Sequence, residues 1–229
     1  MPSLDDLARL FAAFSYYQLE LGLLIAVAVV VVVADWRISL LALSSQYILV
    51  AILLSTLIPL QIAAVRMIAG GLVALMFYIT ARRMYPGRRR RRAQAEPQTR
   101  QEPSRGIFWI NLPFRLIGLA LAALSVIAAS EQFVLLNAPL LFWVTGLWLA
   151  TGGLLTIAMT RDALRLGMGL LFFTSGFGII YLSIDNSLVI YALLVIADLV
   201  IALAISHIAS VPAQFVGFGT NPRKRRGEL

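Results

Sequence analysis

Asp198 stands inside the run LLVIADLVIALAI, residues 193 to 205, a stretch otherwise fit for the middle of a lipid bilayer. A carboxyl group there costs about 2.5 to 3.5 kcal/mol on membrane-insertion scales, so it must face protein or water. Two chemistries suit it: accepting an interhelical hydrogen bond from a serine, threonine or arginine, or acting as a protonatable site on an ion pathway. Tyr191, Val195, Ala202 and Ile205 share its helical face, so its own helix supplies little polar help.

Arg66, in LIPLQIAAVRMIAGGLVAL, is the other deep charge. A guanidinium does not give up its proton in a protein, so Arg66 is a fixed charge rather than a relay. It can pair with Asp198 and hold two parts of the chain together, or tune the electrostatics of a neighbouring channel. Pro59 precedes it and can loosen the start of its helix.

Thr174 and Ser175 lie in DALRLGMGLLFFTSGFGIIYLSI among Gly167, Gly169, Gly176 and Gly178. Such small residues let helices approach closely in lipid, while the two hydroxyls are candidates for an ion path. Gly70 and Gly71 can serve their own span in the same way. His207 could pass protons at the membrane surface or be an ordinary interface residue. Arg115 falls near the same boundary, Arg161 and Arg165 are expected to snorkel there beside Asp162, and Glu20 lies towards the other side.

These residues need membrane-spanning helices to position them. The chain has 229 residues, 60% of them hydrophobic and only 13% charged, against roughly 25% charged in ordinary soluble domains. Mean hydropathy is +0.88. An α-helix rises 1.5 Å per residue, so about 20 apolar residues cross the hydrocarbon core. Stretches that qualify run from Tyr16 to Ala34, Ile38 to Ser55, Leu57 to Ala81, Asn111 to Ser130, Pro139 to Thr160, Asp162 to Ile184 and Ser187 to Ser210. The expected fold is all-α and polytopic, with about seven transmembrane helices.

Residues 1–15 have a capping-box spacing at Ser3 and Asp6, then apolar residues at helical intervals, which predicts an interfacial helix. A three-helix membrane part, 16–85, follows. Residues 86–106, PGRRRRRAQAEPQTRQEPSRG, lack apolar periodicity and are expected to form a disordered basic cytoplasmic linker. A four-helix part, 107–210, and a basic tail, 211–229, complete the chain. With the carboxyl end inside, every loop follows the positive-inside rule except that Arg9 falls outside, which supports seven spans and a cytoplasmic C-terminus; the expected location is the cell's inner (plasma) membrane.

The absence of cysteine and the single histidine exclude an iron–sulfur cluster, thiolate and multi-histidine metal sites, a bis-histidine haem and a cysteine nucleophile, so no cofactor is expected. The net charge of +8 is concentrated in Arg82 to Arg92 and in RKRR at 223–226. Beside apolar spans, Arg88, Arg89, Arg90, Arg91 and Arg92 point to anionic lipids, and with no basic–aromatic platform they do not point to nucleic acid.

The last three spans, from Phe142 through RDALRLGMGLLFFTSG to YALLVIADLVIALAISHI, resemble the NuoK-type component of respiratory complex I and the MrpC-type component of Mrp antiporters. The whole chain resembles the larger membrane protein known as hydrogenase-4 component E. The resemblance implies a non-enzymatic subunit seated among antiporter-like subunits, with Asp198 at the acidic position of the last helix and Arg66 near a basic position of the third. These families usually carry a glutamate in the sixth span; Leu171 to Ser175 contain none. A degenerate path, in which the chain is a structural or assembly protein and Asp198 is locked to Arg66, is the alternative.

Overall fold

A computed structural model describes residues 16–33, 35–84, 105–132, 140–160, 162–185 and 187–210, and these are helical almost throughout. The helices are α1 (Tyr16–Val32), α2 (Trp36–Leu54), α3 (Leu60–Met84), α4 (Arg105–Gln132), α5 (Leu140–Met159), α6 (Ala163–Ile184) and α7 (Leu188–Ser210). Six are long and apolar enough to cross a membrane, and α1, at 17 residues, sits at the short end of the spanning range. The chain is thus an all-α polytopic membrane protein. The interfacial N-terminal helix, most of the linker and the basic tail lie outside the described residues.

Two helix starts differ from the sequence expectation by three residues or more. The third helix begins at Leu60 because residues 55–58 form a turn, and Pro59 stands just outside the helix, where its missing N–H removes no intrahelical bond. Pro59 therefore starts α3 cleanly, its carbonyl accepting from the Ile62 N–H at 2.9 Å. The fourth helix begins at Arg105, before the expected Asn111, and carries Pro113 inside it.

Helices α1, α2 and α3 form one layer, and α5, α6 and α7 a second. In pairs across the layers, α1 faces α5, α2 faces α6 and α3 faces α7, while α4 lies at the edge against α5 and α1. The facing helices run in the same direction. Trp148 of α5 meets the Leu24 carbonyl and Gly152 meets Val27; Arg66 meets Asp198, and Phe77 and Ile205 meet beside Gly167.

Lipid offers no hydrophobic drive for one apolar helix to leave it for another, so close packing must hold these layers together. The α5–α6 pair shows how. Gly146 sits opposite Gly176 and Gly153 opposite Gly169, and a Cβ at Gly176 would come within 2.5 Å of the Ala150 backbone nitrogen as well as striking the Gly146 carbonyl. Gly167, Gly169 and Gly176 of α6 are packing residues.

One end of the bundle gathers arginines. There Asp35 caps α2 by accepting from the Arg37 N–H at 3.1 Å, and Asp162 caps α6 by accepting from the Leu164 N–H at 3.3 Å. Arg115 donates to the Val31 and Val32 carbonyls at 3.2 and 3.3 Å, satisfying acceptors left open at the end of α1. Arg165 does the same for the Val33 carbonyl and is only 9% exposed. It ties α6 to the α1–α2 turn instead of snorkelling to the surface, because that carbonyl has no helical partner within lipid. Arg161 is outside the described residues.

Candidate functional site

Four helices bring polar side chains together in the middle of this apolar bundle. Asp198 is the eleventh of 23 residues in α7, Thr174 the twelfth of 22 in α6, and Tyr47 the twelfth of 19 in α2. Arg66 starts higher on its helix, as the seventh of 25 residues in α3, and its long side chain reaches the same level. Asp198 is 2% exposed and Arg66 1%, so neither charge is stabilised by bulk solvent.

The buried face of α7 is the expected one: Tyr191, Val195, Asp198, Ala202, Ile205 and Ala209. The missing polar help comes from other helices. Tyr47 donates its hydroxyl to Asp198 Oδ2 at 3.2 Å, and Thr174 Oγ1 lies 2.5 Å from Asp198 Oδ1. Arg66 Nη2 is 3.8 Å from Asp198 Oδ2, within ion-pair range but beyond a hydrogen bond. Its hydrogen bond goes instead to Ser175 Oγ at 2.8 Å, and Ser175 passes its own proton to the Leu171 carbonyl at 2.7 Å. Tyr47 and Tyr191 each present a ring 5.5 Å from the Arg66 guanidinium carbon, so two aromatic faces help to hold the cation.

Gly70 makes room for this arrangement. A Cβ there would stand 2.5 Å from Tyr47 Cβ, so only glycine allows α3 to come this close to the tyrosine that reaches Asp198. Gly71 meets nothing within 4 Å and takes no part in packing.

Thr174 gives the carboxyl group a choice. Its hydroxyl has one proton and two acceptors in range, Asp198 Oδ1 and the Leu171 carbonyl at 3.1 Å. When Asp198 is ionised, Thr174 donates to it. When Asp198 is protonated, the acid can donate to Thr174 while Thr174 donates to Leu171. Both states are hydrogen-bonded without moving the backbone.

Towards the arginine-poor end stands the fixed positive charge of Arg66 between its two rings; towards the arginine-rich end, buried Phe77 and Ile205 meet at Gly167. Asp198, Arg66, Thr174 and Ser175 are therefore one site. His207 is not part of it: it is exposed in the last turn of α7, nine positions beyond Asp198. Glu20, half-buried, edges a separate cavity of about 620 Å³ between α1, α5 and the α2–α3 turn.

Tyr47 is the participant that residue types and spacing did not single out. The signal was present as SSQY, four consecutive polar or hydroxylated residues at 44–47 inside an apolar span. Gln46 is also wholly buried, and neither of its amide atoms has a hydrogen-bond partner among the described residues. Among those residues, no group of three or more histidine, cysteine, aspartate and glutamate side chains gathers to hold a metal.

Fold and site together define a multi-pass membrane protein with an ion pair and its hydrogen-bonding shell at the centre of the bundle. No known protein family, curated protein or solved structure matches the chain.

Proposed function

We propose that this chain is a non-catalytic membrane-arm subunit of a complex of the complex I, hydrogenase or Mrp-antiporter type, and that Asp198 contributes to its translocation of protons or sodium ions. The observation that carries the reading is the Thr174 hydroxyl, which lies within reach of both Asp198 and the Leu171 carbonyl. A relay must be tolerable in two protonation states, and this hydroxyl supplies a partner in each. Burial favours the neutral acid and Arg66 favours the carboxylate, and this opposition is what makes alternation feasible. On proton uptake an O–H bond forms at Asp198 and Thr174 turns to Leu171; on release both steps reverse.

The partners are antiporter-like subunits of the same complex, with anionic lipids attracted by Arg88 to Arg92 and the C-terminus on the cytoplasmic side of the cell's inner membrane. The resemblance of YALLVIADLVIALAISHI to the acidic third helix of the NuoK-type component of complex I supports this assignment. With no second acid from Leu171 to Ser175, Asp198 works here with hydroxyls and a fixed arginine rather than with a second carboxylate.

A second reading, a structural or assembly protein, is favoured by one observation: Arg66 joins α3 to α6 through Ser175 and to α7 through Asp198. Asp198→Asn separates the two. Complexes carrying the variant are purified from membranes, their assembly is quantified, and ion translocation is measured in vesicles. Assembly with loss of translocation is expected of the relay. Failure to assemble, restored by Arg66→Leu with Asp198→Leu, belongs to the strut. Full assembly with unaltered translocation overturns the relay.

A further inference from the structure

At the arginine-rich end, a cavity of about 730 Å³ lies against α2 and α3, lined by Trp36, Arg37, Leu40, Leu41, Ser44, Tyr78 and Arg82. It belongs to the outer face of the first layer and shares no residue with the Asp198 cluster. Its chemistry is graded along the helices. The mouth has two arginines and two aromatic rings; deeper in, the walls are Leu40 and Leu41, with Ser44 spending its hydroxyl on the Leu40 carbonyl of its own helix at 3.0 Å. The floor therefore offers no free donor.

The rings hold the arginines at the mouth. Trp36 and Tyr78 lie 6.4 Å apart between centroids, with Arg37 Cζ 5.2 Å from the tryptophan ring and Arg82 Cζ 5.5 Å from the tyrosine ring. Stacking uses the face of a guanidinium and leaves its N–H edges free to donate. Among the described residues neither arginine has a carboxylate within ion-pair distance. The nearby acid, Asp35, turns its carboxylate to the Arg37 backbone N–H as a helix cap. Arg83, also exposed, adds a third positive charge beside Arg82. Leu41 and Ile38 are exposed alongside, so the cavity opens sideways to lipid as well as to the membrane surface.

We infer that this cavity is a binding site for one anionic phospholipid. The headgroup phosphate lies between Arg37 and Arg82, the glycerol region against Trp36 and Tyr78, and one acyl chain runs down over Leu40, Leu41 and Ser44. An anion at the mouth answers the paired guanidinium edges, and a chain in the depth answers an apolar wall that water wets poorly. Aromatic rings at this level are where amphipathic side chains meet headgroups. The site is separate from any general attraction of lipid to Arg88–Arg92, which lie outside the described residues.

Trp36 makes the site testable. The full chain is reconstituted in phosphatidylcholine vesicles with a minor fraction of brominated phosphatidylglycerol or, separately, brominated phosphatidylcholine. The signal of Trp36 is obtained by subtracting that of Trp36→Phe. Brominated phosphatidylglycerol is expected to quench Trp36 preferentially. Each of Arg37→Gln and Arg82→Gln should lower the preference about fivefold, corresponding to the ~1 kcal/mol of a basic residue at an anionic surface. Ser44→Phe, which fills the floor and leaves both arginines in place, should abolish the preference while far-UV circular dichroism is unchanged. Equal quenching by the two lipids overturns the inference, as does a preference that survives Ser44→Phe or loss of both arginines. Displacement by millimolar glycerol phosphate would instead identify a site for a soluble phosphate. A preference lost only when Arg88–Arg92 are all changed to glutamine would assign it to the linker.

Discussion

Removing Asp198 and removing Arg66 should not cost the same, although the two are partners. At their 3.8 Å separation two unit charges attract by about 4 kcal/mol at an effective permittivity of about 20, and desolvation offsets part of this. In Asp198→Leu the guanidinium keeps Ser175 and two aromatic faces but has no counter-charge, and it cannot shed its proton. The expected cost is about 3 to 5 kcal/mol. In Arg66→Leu the carboxyl group keeps Tyr47 and Thr174 and can escape its isolation by binding a proton, so the cost should be nearer about 2 kcal/mol. The double variant removes both charges and should return to within about 1 to 2 kcal/mol of the native protein. Unfolding in mixed micelles with increasing dodecyl sulfate, followed by far-UV circular dichroism at one pH, gives all four corners of the cycle. Equal single costs, or costs that add to within about 0.5 kcal/mol, would refute the reasoning, since additivity means that the charges do not interact.

Gly70→Ala should destabilise the same bundle by about 1 to 3 kcal/mol through the clash with Tyr47, whereas Gly71→Ala, facing open space, should be near neutral in the same unfolding assay. Gly176→Ala should be similarly damaging, because its Cβ would enter the α5 backbone, while Gly178→Ala, with its nearest neighbour 3.6 Å away on Leu194, should be tolerated; thermal unfolding of the two compares them directly. Tyr47→Phe keeps the ring against Arg66 and removes only the donor to Asp198, so a loss of about 1.5 to 3 kcal/mol is expected in the dodecyl sulfate titration. Cysteines placed singly at exposed Asp35, Asp185 and Ser210 should react with an impermeant thiol reagent from one side of the membrane at 35 and 210 and from the other at 185.

What the sequence made legible and what it hid divide along physical lines. Seven apolar stretches of the right length needed only the dimensions of a bilayer to become helices. The face of α7 followed from its three- and four-residue spacing, and the pairing of Arg66 with Asp198 from the cost of leaving either alone in hydrocarbon. Tyr47 was hidden because its role depends on Gly70, on a different helix, and on which of two adjacent polar residues, Gln46 or Tyr47, turns towards Asp198. Nothing in the local pattern of α2 decides that. Arg165 was expected at the surface because long cationic side chains near helix ends usually reach it; its capture by the Val33 carbonyl reflects the proximity of α6 to the α1–α2 turn. His207 is exposed in the last turn of α7, and the bundle brings it no nearer to Asp198.

The central claim is that Asp198 can exist in both protonation states inside the folded bundle. Infrared difference spectroscopy of the reconstituted protein, titrated through pH with Asp198→Asn as the reference, observes that group directly. A protonated-carboxyl band that appears and disappears reversibly with pH, is absent in Asp198→Asn and shifts in Thr174→Val is the expected result. A carboxyl group that stays in one state throughout the pH range over which the protein remains folded would contradict the relay and leave Asp198 as a strut for Arg66.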